Sequence, residues 1–342
     1  MISQHPPYAP NTASLGGVPT VSLDVPVTVV FLVLFLVGGV SHMTIFQLNN
    51  RHGHKFVMSG MMFGFCMARI TTCIMRIVWA TRPTSVRIAI AAQIFVAAGV
   101  VLLFVINTIF AQRIVRASHQ HSGWHPAFSH FFQAVYVLIV LSLCMLITAT
   151  VQSSYTLTSN TRRIDHDIQL CGQTYYVFVS FLPIPLVIGG LIIPRKTRLD
   201  KFGSGRFVTK IAILLFSTTL LCLGASFRAG TNYKPARPLS DPAWYHSKAC
   251  FYIFNFTLEI IVIILYVIVR VDNRFHIPDG SKRAGDYGGT NVTPKDSERT
   301  TVRRIMTEEE VFDDAPLREL EKGVSGHRGA ESGMSNTVRA GY

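Results

Sequence analysis

The stretch VRIAIAAQIFVAAGVVLLFVINTIFA (86–111) decides the fold. Apart from Arg87 at its start it carries no charge, and Gln93 and Asn107 are its amide interruptions. About 20 apolar residues suffice to cross about 30 Å of hydrocarbon as a helix. The stretch shows no period-two alternation and is twice the length of a barrel strand. In lipid each backbone N–H and C=O has to be paired within the segment, which leaves the α-helix as the solution.

Working outward, six further blocks of this kind appear, at about 26–48, 56–79, 129–152, 174–193, 207–227 and 249–271. The chain therefore reads as an all-α polytopic membrane protein, a seven-transmembrane-helix bundle at 26–271. A short N-terminal tail (1–25) precedes it and a disordered C-terminal tail (272–342) follows. Pro183, Pro185 and Gly189-Gly190 predict a kink in the fifth span. The first block is read as a signal-anchor rather than a cleaved leader. The tail is rich in Gly, Ser, Thr and charge. It contains the sequon Asn291-Val292-Thr293 and the acidic stretch MTEEEVFDDAPLREL (306–320), read as solvated.

Composition agrees, with 49% apolar and 15% charged residues. Net charge is +13, but the basic residues sit in the gaps between apolar blocks. Anionic headgroups and the positive-inside bias explain that placement, and nucleic acid does not. The cluster PRKTRLDKFGSGR (194–206) is the strongest cue to orientation. It places the N-terminus outside and the C-terminus inside, in a multi-pass protein assigned to the plasma membrane. Residues 194–206 and the tail would then face any cytoplasmic signalling partner.

Charge inside the spans is the sharpest functional signal, because it has to face protein or water. Arg69, Thr72, Cys73 and Arg76 fall on one face of the second span. Lys248, Tyr252, Asn255 and Glu259 fall on one face of the seventh. Counting from the helix ends puts Arg69 and Glu259 within roughly one turn in depth. The expectation is an Arg69–Glu259 ion pair closing a polar cavity, with Arg76 in the outer half meeting an anionic group. A purely structural pair is the competing reading. Ser41, His42, Gln93, Asn107, Gln133 and Tyr136 are further polar positions that either line the cavity or bridge helices.

None of the six cysteines forms a CxxC pair, which argues against a zinc ribbon or a redox motif. Cys171 and Cys250 fall near the same, outer end, where either a disulfide or two separate thiols is open. The histidines cluster in loops rather than facing one another across helices, so no metal site or haem is expected. The seventh span has Glu259 rather than a lysine at mid-depth, which argues against a Schiff-base pigment. GxSxG, P-loop and HExxH motifs are absent, and no span holds two carboxylates. No catalytic role and no cofactor are expected.

The stretches FCMARITTCIMRIVWATRP (65–83), TRRIDHDIQL (161–170), KFGSGR (201–206), FRAGTNY (227–233) and DPAWYHSKACFYIFNFTLEI (241–260), with residues 86–119, carry a resemblance. They resemble a fungal family of uncharacterised seven-span proteins labelled "family C-like G-protein-coupled receptor". The resemblance covers roughly 26–280 and implies a receptor or sensor of unknown ligand. The layout is also similar to fungal seven-span lipid-translocating exporters, which implies a transporter as the alternative.

Overall fold

The computed structural model describes residues 5–8, 12–53, 56–194, 199–278, 280–281 and 283–288. Against the expectation of a tail disordered from 272 onward, its first residues pack on the bundle: Val271–Arg274 is helical, and Asp272, Phe275 and Tyr287 are buried. The sequon and the acidic stretch 306–320 lie outside the described residues. Within them, seven helices are long and apolar enough to cross a membrane: α1 (Val21–Arg51), α2 (Val57–Thr81), α3 (Val86–Ser118), α4 (Pro126–Tyr155), α5 (Ser159–Ile192), α6 (Phe207–Asn232) and α7 (Lys248–Ile268). The all-α polytopic bundle follows.

The helices close a ring. α1 packs on α2, α2 on α3, α3 on α5 and α6, α5 on α6, α6 on α7, and α7 returns to α1. α4 stands outside this ring, against α5 and α3. Burial tracks position: 56% of the α7 span is buried, against 28% of α1 and of α4. α7 is therefore the inner helix, and its charged residues are forced to find partners. The exposed faces are apolar, with Val30, Val37 and Val40 on α1 and Val137, Val140 and Leu141 on α4. The interior holds Asp24, Arg69, Arg76 and Glu259. Apolar residues outside and ions inside reverse the arrangement that water favours, as an integral membrane protein requires.

Three spans are irregular. α3 is interrupted at Val100, between helical runs Val86–Gly99 and Val101–Ser118. α5 breaks at Leu182, and Pro183 opens the next helical run. Proline lacks the N–H that the preceding turn needs, so the expected kink appears there as a break. In α7, residues Ile253–Thr257 form a π-helical turn, which the sequence pattern does not announce. Gly224 of α6 sits against this turn, where an added Cβ would lie 2.9 Å from the Phe254 carbonyl oxygen. Phe227 stacks on Phe254 beside it, with centroids 3.8 Å apart.

Two helices begin earlier than hydropathy predicts. α1 starts at Val21, which draws Asp24 into the bundle. α5 starts at Ser159, so TRRIDHDIQL (161–170) is helix rather than loop. α5 packs against α4 and α6, and this polar stretch is part of it although its hydropathy is low. At the other end, Leu199, Asp200 and Phe202 of segment 199–206 are buried against the bundle. Asp200 N–H donates to Ala117 O at 3.0 Å, and the Lys210 ammonium donates to the Phe202 carbonyl.

Candidate functional site

Two buried ion clusters tie α7 to its neighbours. In the first, Arg69 meets Glu259 through two parallel bonds, Nε to Oε2 at 2.5 Å and Nη2 to Oε1 at 2.6 Å. The third donor, Nη1, reaches Val96 O on α3 at 3.0 Å. The planar guanidinium thus satisfies three helices at once, a geometry that Lys cannot supply. Gly99 leaves room for it, an added Cβ there standing 3.5 Å from Arg69 Cζ. Arg228 of α6 approaches the same carboxylate, Nη1 to Oε1 at 3.6 Å, and donates to Asn255 Oδ1 at 3.3 Å.

In the second cluster, Arg76 donates to Asp24 Oδ1 at 2.8 Å, to Tyr252 Oη at 3.1 Å and to Gly16 O at 3.2 Å. Its guanidinium lies 3.9 Å from the Phe251 ring centroid. The Tyr252 hydroxyl donates to Asp24 Oδ1 at 2.9 Å and pairs with Thr28 at 2.8 Å. Lys248 Nζ closes the cluster on Asp24 Oδ2 at 2.5 Å. The anionic group expected to meet Arg76 is therefore Asp24, a residue of α1. An isolated acid ahead of an apolar block reads as part of the tail; only its position one turn into the helix, beside a neighbouring cation, distinguishes it.

Above these clusters lies a chamber of about 640 Å³, walled by α2 to α7 and by the N-terminal segment. Thr72, Arg76, Gln93 and Asn255 line it; Arg69, Tyr252 and Glu259 are not among its lining residues. Thr72 donates to Ala68 O of its own helix, at 2.8 Å. The N-terminal segment is held across the opening by Ala13 N–H to Arg237 O at 2.8 Å and Gly16 N–H to His246 O at 3.0 Å. Gly16 has φ +77°, and a Cβ there would stand 2.6 Å from Phe251, so only glycine fits. His246, between α6 and α7, accepts the Ala243 N–H at Nδ1. Burial, with Arg237 nearby, holds its imidazole below the ordinary value.

Other predicted positions scatter. His42 is buried, with Nε2 3.4 Å from Ile263 O. Asn107 belongs to a separate buried cluster, taking a hydrogen bond from Tyr266 and donating to Thr218 at 3.2 Å. Tyr136 bonds Gln112, Ser41 donates to Val37 O of its own helix, and Gln133 is exposed. Cys171 and Cys250 do not pair: both are free. Cys171 is exposed on α5, which packs on α4, α3 and α6, while the Cys250 thiol points to Trp244 O at 3.9 Å. Residues the sequence left out of the site are Asp24 and Arg228, together with Arg162, Arg163 and Lys234, which line the chamber.

The family described as "Protein of unknown function (DUF3112)" matches residues 206–276, which span α6 and α7. Comparison with curated proteins and with solved structures returns no match. The match contains Arg228, Tyr252, Asn255 and Glu259, and so the α6–α7 half of both ion clusters.

Proposed function

We propose that this integral membrane protein is a receptor or sensor that takes a ligand into the chamber, without catalysis and without a cofactor. What carries the reading is that the chamber stops at the two ion clusters. Beneath them, Phe35 packs edge to face with Phe65 and at a tilt with Phe256, and Tyr266 packs edge-on with Phe110. Such a site admits and releases a ligand at one end while touching six of the seven helices. Occupancy can therefore bias how α2, α6 and α7 pack. In this reading the N-terminal end faces outward at the plasma membrane, and residues 194–206 with the tail meet a cytoplasmic partner.

A translocator is the second reading. The interruptions at Val100, Leu182–Pro183 and Ile253–Thr257 are the kind of broken helix on which alternating access pivots. Reconstitution of the full chain into vesicles with fluorescent lipid analogues separates the two. The receptor reading expects lipid crossing no faster than in empty vesicles. Crossing that depends on the chain and is lost in Arg69→Ala overturns it in favour of the translocator.

A further inference from the structure

The charges around the chamber do not balance. Arg76, Arg162, Arg163, Arg228 and Lys234 line it, and no Asp or Glu does. Two of these cations, Arg76 and Arg228, reach carboxylates below the chamber but share them: Arg228 shares Glu259 with Arg69, and Arg76 shares Asp24 with Lys248. At the opening, Arg162 is held by Thr156 O at 2.8 Å and Arg163 by Asn160 Oδ1 at 3.4 Å. Among the described residues no carboxylate pairs with Arg162, Arg163 or Lys234. The chamber also has apolar lining, with Trp79 on α2 and Ala89, Ile90 and Val96 on α3.

Like charges gathered in a cavity with low-dielectric walls repel one another and concentrate a counter-ion of opposite sign. Guanidinium forks match carboxylate and phosphate oxygens two at a time. We infer that the chamber is a binding site for an organic anion with a phosphate or carboxylate head and a short apolar body. Arg228 at the floor and Arg162, Arg163 and Lys234 at the rim take the head, and Trp79 and Ile90 take the body. The inference names the ligand class for the proposed receptor and rests on that reading of the chamber. Both a bilayer lipid and a soluble metabolite offer this chemistry.

The test uses the full chain in nanodiscs of phosphatidylcholine, with hexyl phosphate as the anionic probe and hexanol as its neutral counterpart. Hexyl phosphate is expected to bind and raise the melting temperature, and hexanol is not. Arg228→Gln and, separately, Lys234→Gln each weaken binding roughly tenfold, the worth of one charge-assisted hydrogen bond. Lys234 has no side-chain partner among the described residues, so its variant folds even where Arg228→Gln disturbs Glu259. A parallel arm adds phosphatidylserine to the nanodiscs. Stabilisation by phosphatidylserine, lost in the same variants, assigns the anion to the bilayer, whereas stabilisation by hexyl phosphate with none from phosphatidylserine assigns it to the soluble pool. Equal binding of hexyl phosphate and hexanol, or anion binding indifferent to both variants, overturns the site. Anion binding together with lipid crossing keeps the site and removes the receptor; no anion binding and no crossing removes the site alone.

Discussion

Arg69 on α2 and Glu259 on α7 stand 190 residues apart and meet in a two-point ion pair with side-chain exposures of 0% and 1%. The pair is not isolated, since Arg228 reaches Glu259 from α6 at 3.6 Å. One carboxylate therefore holds two guanidiniums from different helices, and its loss differs from the loss of either cation.

Glu259→Gln is expected to destabilise the chain more than Arg69→Gln. The first leaves two cations unpaired inside the bundle; the second leaves Glu259 with Arg228. Breaking a buried pair costs about 3–5 kcal/mol, most of it the desolvated charge left behind. Charge exchange, Arg69→Glu with Glu259→Arg, recovers only part of the loss, because the new arginine faces Arg228. Adding Arg228→Gln to the exchange recovers more. Thermal unfolding in detergent reads the order, and equal losses in the two single variants contradict it.

Asp24→Asn is expected to be as harmful, because Arg76 and Lys248 both lose their carboxylate. A loss of about 3 kcal/mol or more fits a buried acid between two cations. Lys248→Gln removes only a partly exposed partner, 28% exposed, and should stay within about 1 kcal/mol of the parent. A Lys248→Gln loss matching that of Asp24→Asn would show that Arg76 does not hold Asp24 unaided.

How much of this was legible in sequence depended on the kind of signal. Seven apolar blocks announced the fold because lipid admits few alternatives. The Arg69–Glu259 depth match was legible because both residues interrupt long apolar runs, where a charge stands out. Asp24 and Arg228 were not, because each sits near a span end, where hydropathy treats a charge as loop. The rim residues Arg162 and Arg163 were hidden for a related reason, since polar sequence continues as helix at the start of α5. The π turn at Ile253–Thr257 leaves no composition signature; its trace is the contact of Gly224 with Phe254.

Acid stability should depend on Asp272, just beyond α7. Burial opposes its ionisation, but hydrogen bonds from Arg270 and from Asn49 of α1 outweigh it and hold its carboxyl below the ordinary 3.8. Asn49 Nδ2 donates at 3.0 Å and Arg270 Nη2 at 2.9 Å. The folded state thus favours the anion. Its contribution is complete above pH 3.8 and is lost as pH falls through the lower folded value. Asp272→Asn is expected to lower stability at neutral pH and to flatten the acid limb of a pH–stability curve. A limb as steep as the parent's assigns acid sensitivity elsewhere.

Two glycines of α6 should respond oppositely to alanine. At Gly224 a Cβ would lie 2.9 Å from the Phe254 carbonyl and 3.6 Å from Leu258 Cδ1, so α6 has to move off the π turn. Overpacking of this kind costs about 1–3 kcal/mol. Backbone at the π turn is the obstacle, and backbone gives way less readily than a side-chain end. At Gly230 nothing lies within 4 Å, and the gain in helix propensity is up to about 1 kcal/mol. Melting temperatures should fall for Gly224→Ala and hold or rise for Gly230→Ala. Because Asn255 lies in the same turn and takes the Arg228 hydrogen bond, Gly224→Ala should also weaken hexyl phosphate binding. Gly230→Ala should leave that binding unchanged. A Gly224→Ala chain with parental melting and parental binding would mean that the α6–α7 contact does not set the position of Arg228.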